Sequence, residues 1–195
     1  MNALEKKIIL KPFVKWAGGK RQLLPEIRKY LPQDITHRHY FEPFIGAGAL
    51  LFDLVPIKAT INDLNSELIL TYRVIKDHVD ELIAALKTHR DLHSKEHYYE
   101  IRSLDKNDSD IATAARFIYL NKTCYNGLYR VNSSGCFNVP LGRHKKLLIC
   151  EEELLHAVSA YLNSADIEIL NSDFEEALAK ADENSFVYFD PPYHS

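Results

Sequence analysis

Residues 39–65 read HYFEPFIGAGALLFDLVPIKATINDLN, and this stretch decides the fold. A short apolar and aromatic run at 40–45 precedes the turn GAG, and the ALLFDLV that follows has a helical composition. A second short run, at 59–61, ends in the polar pair Asn62-Asp63. Strand, glycine turn, helix and strand in this order predict a βαβ unit of a parallel sheet.

The same α/β pattern returns near the end of the sequence. EEELLHAVSAYLNSA (151–165) predicts a helix, DIEILNSD a strand, DFEEALAKA a short helix and SFVYFD a buried strand. Between these two parts, the apolar spacing predicts a helix over 65–92 and a second helix at IATAARFIYLNKT, capped by Ser109 or Asp110. Two β-rich runs on either side of a Ser-Ser-Gly turn predict a β-hairpin at 126–142.

These elements predict an α/β protein in two parts. Residues 1–65 and 156–195 would form a domain built on a parallel sheet, and residues 66–155 an inserted domain of helices and a β-hairpin. The chain has 195 residues, of which 46% are hydrophobic, and this is enough for one large core or two small ones.

The composition also indicates the cellular environment. No apolar run approaches the roughly 20 residues that a membrane span needs, and the N-terminus lacks a signal-peptide pattern. The three cysteines are widely separated, without a CxxC pair, and we expect reduced thiols rather than a disulfide or a metal site. The sequence therefore predicts a cytoplasmic protein with no membrane partner.

Positive charge is concentrated in one part of an acidic chain. The net charge is −3, yet residues 111–150 contain no acidic residue. The basic residues of this block are Arg116, Lys122, Arg130, Arg143, Lys145 and Lys146. Such a block is typical of a polyanion-binding surface, although a solvated basic face has the same composition. Tyr125 and Tyr129 flank a turn within the block, and we expect one of them to be exposed.

Polar residues follow the predicted strands: Glu42 and Gly46, Asp63, Asp173 and Asp190. Ligands of open α/β sheets bind outside the carboxyl ends of the strands, so these positions predict one cleft. The glycines Gly46 and Gly48 would let the backbone approach a ligand, although Leu51 replaces the third glycine of the dinucleotide fingerprint. A carboxylate at Asp63 can accept both ribose hydroxyls of NAD or of S-adenosylmethionine; its alternative role is a helix N-cap.

Two further motifs lie at opposite ends of the chain. The first, KWAGGKRQLLPEI (15–27), places two lysines around a glycine pair. It does not match the phosphate-binding P-loop pattern. Its glycine pair and cation could instead bind a carboxylate. DPPY (190–193) offers two acceptors for an amino group, the Asp190 carboxylate and the Pro191 carbonyl, which proline holds rigid. The ring of Tyr193 could stack a planar base. A rigid turn with an exposed tyrosine is the alternative.

HRDLHSKEH places His89, His93 and His97 at intervals of four residues, on one face if the segment is helical. Three imidazoles can bind a metal ion. The charged residues between them favour a solvated helix face instead, and we predict no metal site.

Taken together, these stretches resemble the Dam-type DNA adenine-N6 methyltransferases. The matching blocks, in the order of that family, are FVKWAGGKRQLLPEI, YFEPFIGAGAL, INDLN, YLNKTCYNGLYRVNSSGCFNVPLGR, SDF and YFDPPY, across residues 11–193. The resemblance implies a Rossmann-like S-adenosylmethionine-dependent methyltransferase sheet with an inserted target-recognition domain. It further implies methylation of adenine N6 in duplex DNA at GATC, by base flipping and direct transfer.

The resemblance also assigns residues. The catalytic loop would comprise Asp190, Pro191, Pro192 and Tyr193. The residues for the cofactor S-adenosyl-L-methionine would be Trp16, Lys20, Gly46, Gly48, Asp63, Asp173 and Asp190. The residues in contact with double-stranded DNA would be Lys15, Tyr125, Asn126, Arg130, Pro140 and Arg143. A cognate restriction endonuclease would be a functional rather than a physical partner, and no metal ion is implied.

One departure from the family bears on activity. Its members continue well beyond DPPY, whereas this sequence has two residues after Tyr193. We therefore expect the C-terminal part of the sheet to be missing and turnover to be low. Two alternatives stay open at this point, a non-catalytic fragment that binds DNA and cofactor, and, more remotely, an NAD-dependent oxidoreductase.

Overall fold

The computed structural model describes residues 9–104, 109–143 and 147–191. Within these ranges the chain forms helices and strands in alternation at its two ends and helices in its middle. The helices are α1 (Leu24–Ile27), α2 (Ala49–Leu54), α3 (Ser66–Asp77), α4 (Val79–Asp91), α5 (Lys95–Ser103), α6 (Asp110–Thr123), α7 (Glu152–Ser164) and α8 (Phe174–Ala177). The strands are β1 (Tyr40–Glu42), β2 (Lys58–Asn62), β3 (Asp166–Leu170) and β4 (Phe186–Val187). Short 3₁₀ turns lie at Lys20–Leu23, Arg28–Tyr30, Ile35–His37 and Tyr125–Gly127.

The four strands form one parallel sheet in the order β3-β2-β1-β4. Tyr40 pairs with Ala59 on one side and with Phe186 on the other, which makes β1 a central strand. The predicted α/β class and parallel sheet are confirmed. Because all four strands run the same way, their carboxyl ends lie at one edge, where the polar residues of the sequence follow them.

The core lies between the sheet and the long helices. Helix α3 packs against β3, α6 and α7, and its residues Leu68, Tyr72 and Ile75 are fully buried. Apolar side chains of α4, α6 and α7 continue the same cluster of buried residues. The division into a domain of 1–65 with 156–195 and a domain of 66–155 stays a prediction.

The predicted long helix over 65–92 is two helices. The break is at His78, whose φ of −139° and ψ of 41° are not helical, and which ends α3 and begins α4. Both helices pack against α6. Helix α5 was not predicted. The predicted cap of α6 is correct for Ser109, whose hydroxyl accepts from the backbone N–H of Ala112.

The predicted β-hairpin is a loop with hairpin pairing but without continuous strands. Two isolated antiparallel bridges join Cys124 to Leu141 and Val131 to Phe137. Two features interrupt the ladder between these bridges: the 3₁₀ turn around Asn126, which has a positive φ of 56°, and Pro140, which has no N–H to donate. We call residues 124–143 the recognition loop, after the DNA-contact role that the sequence resemblance predicts for this segment.

The recognition loop is held onto the helices by its backbone. The Val139 carbonyl accepts from the Tyr98 hydroxyl at 2.8 Å and from the Arg102 guanidinium at 3.2 Å, both on α5. The Gly142 N–H donates to the Thr123 carbonyl at the end of α6. In the described part of the chain, no helix combines the length and the apolar character that crossing a bilayer requires.

Candidate functional site

A cavity of about 640 Å³ lies at the carboxyl edge of the sheet. It is bounded by residues 16–20, 42, 44–50, 63–65, 188, 190 and 191. The structure thus brings the predicted strand-end residues Glu42, Gly46, Asp63 and Asp190 to one place, together with the KWAGGK segment from the N-terminal part. A chamber of this size, open on one side, suits a small-molecule ligand.

Gly46 and Gly48 shape the floor of the cavity. Their φ angles are +48° and +71°, a region that side chains disfavour. A Cβ at Gly46 would lie 2.7 Å from Cδ1 of Trp16, and a Cβ at Gly48 would lie 2.7 Å from the Tyr72 hydroxyl. The backbone conformation and the close packing of neighbouring side chains therefore require glycine at both positions. The sequence suggested a different reason, the approach of a ligand to the backbone.

Asp63 holds the glycine turn against the end of β2. Its Oδ2 accepts from the Gly46 N–H at 3.0 Å and its Oδ1 from the Asn65 N–H at 2.9 Å. Burial raises the pKa of the Asp63 carboxyl, and these two N–H groups partly oppose the rise. The alternative role as the cap of α3 belongs to Asn65 instead, whose side chain accepts from Leu68 N. Each Asp63 oxygen keeps lone-pair capacity for a ligand hydroxyl.

Glu42 also contributes a carboxyl group to the cavity. The site residues assigned from the sequence do not include it. It is 3% exposed and accepts a hydrogen bond from the Tyr40 hydroxyl at 2.7 Å. Burial raises the pKa of Glu42 to about 8, against the opposing effect of the Tyr40 hydrogen bond. The signal was present in the sequence, because Glu42 stands at the end of the first strand.

Lys20 and Asp190 form an ion pair across the cavity. The Lys20 Nζ lies 2.6 Å from Oδ1 and 2.7 Å from Oδ2 of Asp190, and it also donates to the Gly18 carbonyl at 2.8 Å. Both side chains are largely buried. The glycine-lysine motif thus contacts the DPPY motif directly, although Lys20 and Asp190 are 170 positions apart in the sequence.

Asp173 does not bound the cavity. Its side chain caps α8 by accepting from the Glu175 N–H at 3.0 Å, which is the ordinary work of an aspartate at this position. An unpredicted aromatic group lies beside it instead. The rings of Phe44, Phe174 and Phe189 are 5.8 to 6.5 Å apart, and Phe44 borders the cavity.

The residues assigned to DNA contact are all exposed: Lys15, Tyr125, Asn126, Arg130, Pro140 and Arg143. Five belong to the recognition loop, and the side chain of Lys15 lies against Gly127 of the same loop. Tyr125 is 53% exposed whereas Tyr129 is half-buried, as expected for one of the pair. The Arg130 guanidinium donates to Oδ1 of Asn138 at 2.7 Å.

Only part of the basic block is available to a polyanion. Arg116 is 7% exposed and pairs with Glu67, and Lys122 donates to Glu151 at 2.8 Å. Arg130 and Arg143 are exposed. Lys145 and Lys146 lie outside the described residues. The count of positive charges in the sequence therefore overstates the basic surface, because two of them hold the fold together.

The three histidines do not form a solvated helix face. His89 lies in the last turn of α4, His97 lies in α5, and His93 lies in the turn between the two helices. Their rings surround Tyr119 at centroid distances of 4.9, 5.5 and 5.7 Å. Burial, aided by His97, lowers the pKa of His89 to about 4. Among the described residues, no three His, Cys, Asp or Glu side chains are grouped as metal ligands.

Comparison with known proteins identifies the family. The model of the D12 class of N6 adenine-specific DNA methyltransferases matches residues 16–195. The chain belongs to this family. Membership supports the methyltransferase interpretation of the cavity over an NAD-dependent oxidoreductase.

The relatives of this D12 class chain include proteins named Type II methyltransferases and proteins named DNA adenine methylases. Type II methyltransferase M1.LlaDCHI of Lactococcus lactis subsp. cremoris is 51% identical, over 99% of this chain and 69% of that protein. Type II methyltransferase M.MjaIII of Methanocaldococcus jannaschii is 46% identical, over 94% and 69%. The DNA adenine methylase of Escherichia coli strain K12 is 37% identical, over 93% and 64%. The chain thus spans about two thirds of the length of these relatives.

Two residues of the DPPY motif, Pro192 and Tyr193, lie outside the described residues of this D12 class chain. Asp190 and Pro191 are described and border the cavity. Besides Glu42, sequence reasoning missed Asn121 and Tyr129, which join the cavity to the recognition loop. The available signal for Asn121 was an asparagine in the last turn of a helix with many apolar residues, since a buried amide requires partners.

Proposed function

We propose that this chain transfers a methyl group from S-adenosylmethionine to N6 of adenine in duplex DNA, with GATC as its site. One observation carries the proposal: the carboxylates of Asp63 and Asp190 face the same cavity, with Lys20 bonded to Asp190. A site for an adenosine ribose and a site for an exocyclic amino group are therefore neighbours, as direct transfer requires.

The residues present fit the cofactor. S-adenosylmethionine, when bound, supplies an electrophilic methyl group on a sulfonium. The Asp63 carboxylate, at the end of β2, would accept the ribose hydroxyls with the lone pairs that its two backbone N–H partners leave. Trp16 would form one wall, and the Gly46-Ala47-Gly48 turn would let the ligand lie close to the backbone.

The catalytic groups would act on the target base. The adenine amino group is a poor nucleophile because its lone pair is delocalised into the ring. The Asp190 side chain and the Pro191 carbonyl would accept its two N–H groups and favour a tetrahedral nitrogen whose lone pair points at the methyl carbon. The bound cofactor would supply the methyl group to this nitrogen, its carbon–sulfur bond breaking as the N6–carbon bond forms, and N6 would then release one proton to solvent. A base in a duplex cannot reach these groups, so the target adenine would be flipped out.

The recognition loop would bind the duplex. Arg130 and Arg143 are exposed cations in a region without acidic residues, suited to phosphates or to the guanine O6 and N7 acceptors. Lys15 lies against this loop and is followed directly by Trp16 of the cavity wall. Lys15, which would face the DNA, and Trp16, which would face the cofactor, are therefore adjacent. This adjacency supports entry of the flipped base from the side of the recognition loop.

The cellular setting follows from the substrate. An enzyme that modifies bacterial or phage DNA acts in the cytoplasm, and we propose that location. Relatives named Type II methyltransferases also support a restriction endonuclease as a functional partner, which would cut the same site when unmethylated.

The test is transfer of labelled methyl from S-adenosylmethionine to two duplexes that differ only in one GATC site. We expect label on the GATC duplex, located on N6 of adenine by nucleoside analysis. Asp190→Asn is the matched control, because it preserves shape and removes the carboxylate charge. Binding of cofactor and duplex without labelling would instead support the non-catalytic binding fragment. Equal labelling of both duplexes would refute GATC.

A further inference from the structure

One buried side chain joins the recognition loop to the cavity segment. Asn121 of α6 is 1% exposed. Its Oδ1 accepts from the Lys15 N–H at 2.9 Å, and its Nδ2 donates to the carbonyls of Lys15 at 2.8 Å and Gly127 at 3.2 Å. The backbone before Trp16 and the turn of the recognition loop therefore share a single amide, and neither can move far without breaking its bonds.

The indole of Trp16 lies between the cavity floor and the recognition loop. On one side it contacts Gly46, where an added Cβ would be 2.7 Å from Cδ1. On the other side the ring of Tyr129 is stacked on it, with centroids 5.5 Å apart and an interplanar angle of 26°. Phe117 packs against both rings, at 6.1 and 5.5 Å. A residue of the loop thus backs one wall of the cavity.

The hydroxyl of Tyr129 reaches a second wall. It donates to Oε2 of Glu67 at 2.8 Å, and Glu67 is 5% exposed. Glu67 stands in the first turn of α3, directly after the 63–65 turn that borders the cavity. Arg116 lies 3.5 Å from Glu67 and donates to the Ile101 carbonyl, which fixes the carboxylate against the helices. Tyr129 is therefore held by its ring to Trp16 and by its hydroxyl to the start of α3.

We propose that Tyr129 is a positioning residue that couples DNA contact at the recognition loop to cofactor binding, acting through Trp16. The inference rests on the proposed function, since it needs a cavity that binds the cofactor and a loop that binds the duplex. DNA contact that shifts the loop also shifts Tyr129 and the indole stacked on it, because the bonds through Asn121 and Glu67 tie these groups together. A cofactor that binds the same arrangement of the wall then binds more tightly, and by linkage the cofactor strengthens DNA binding equally.

The chain offers a direct probe, because Trp16 is its single tryptophan. S-adenosylhomocysteine, which cannot donate a methyl group, is titrated while Trp16 emission is followed, without duplex and with saturating GATC duplex. For wild type we expect at least about fivefold tighter binding with duplex, within the usual range of coupling between sites. In Tyr129→Leu the ratio should fall to about 1. The matched control is Tyr161→Leu, a buried tyrosine of α7 whose hydroxyl donates to the Pro56 carbonyl and whose ring contacts Phe52, and which should keep the wild-type ratio.

Each outcome decides the inference. A wild-type ratio of 1, or a wild-type ratio retained by Tyr129→Leu, overturns it. If Tyr129→Leu does not fold, Tyr129→Met decides, since it keeps a long apolar side chain and loses the ring stack on Trp16; an unchanged ratio in that variant overturns the inference. A wild-type chain that binds neither ligand overturns the proposed function as well, whereas a chain that binds both without coupling overturns the inference alone.

Discussion

Glu42→Gln should change the pH dependence of stability in a defined direction. Glu42 is buried at the end of β1, and burial raises its pKa from an ordinary 4.5 to about 8. The folded chain therefore holds a proton on this group more tightly than the unfolded chain between pH 4.5 and pH 8. Stability from this group is present at low pH and is lost as the pH rises through that window. Glutamine cannot ionise and keeps an oxygen to accept from the Tyr40 hydroxyl.

The magnitude follows from the two pKa values. Integrating the proton-binding difference from pH 5 to pH 8 gives a loss of about 3 kcal/mol for wild type relative to Glu42→Gln. This is a large share of the roughly 5–15 kcal/mol by which a typical domain is stable. Because other titrating groups are common to both proteins, the difference between the two isolates Glu42.

The assay is urea unfolding of wild type and Glu42→Gln at several pH values from 5 to 8, with the free energy taken by linear extrapolation. Glu183→Gln, an exposed position in the turn before β4, is the matched control and should track wild type throughout. A wild-type curve that runs parallel to that of Glu42→Gln, within about 0.5 kcal/mol across the range, would refute a neutral buried Glu42.

Three further substitutions test the cavity and the loop. Asp63→Ala should weaken S-adenosylhomocysteine about 10- to 100-fold in calorimetry, because a hydrogen bond to a charged group contributes about 1.5–3 kcal/mol; unchanged affinity would remove the ribose assignment. Gly46→Ala should lower the unfolding free energy by about 1–2 kcal/mol and shift Trp16 emission, since its Cβ would meet the indole at a positive φ. Arg130→Ala should reduce discrimination between GATC and altered duplexes by about 1–3 kcal/mol in competition binding without changing stability; unchanged preference would exclude Arg130 as a reader.

The sequence predicted the sheet well because the signals are local. Apolar runs, glycines with positive φ and the polar residues after each strand are all adjacent in the chain, as at residues 40–48 and 59–63. The hairpin strands were wrong because Asn126 and Pro140 break the ladder locally while tertiary bonds hold the loop. The break at His78 has no glycine or proline to announce it, and it depends on packing against α6.

The candidate site was harder to predict where roles depend on a partner. Asp63 and Asp190 could be found from strand ends alone. Asp173 looked equivalent in the sequence, yet its carboxylate is engaged in capping α8. From the sequence, Tyr129 could be interpreted only as an aromatic residue of the basic block, and Arg116 only as one of its positive charges. Their roles follow from Glu67, which is 49 residues or more away in sequence from either of them, and only the fold brings these groups together.

On the proposed function, the ion pair between Lys20 and Asp190 changes what the DPPY motif would present to a base. A carboxylate bonded on both oxygens by one ammonium is oriented before any substrate arrives, and this reduces the reorganisation that the reaction would otherwise require. Each oxygen keeps a further lone pair, so an adenine N–H can be accepted without breaking the pair. On the proposed function, Lys20 thus serves the target base through Asp190 as well as the cofactor beside it. The glycine pair before Lys20 fits this double role, because the Gly18 carbonyl accepts a further hydrogen bond from the same ammonium at 2.8 Å.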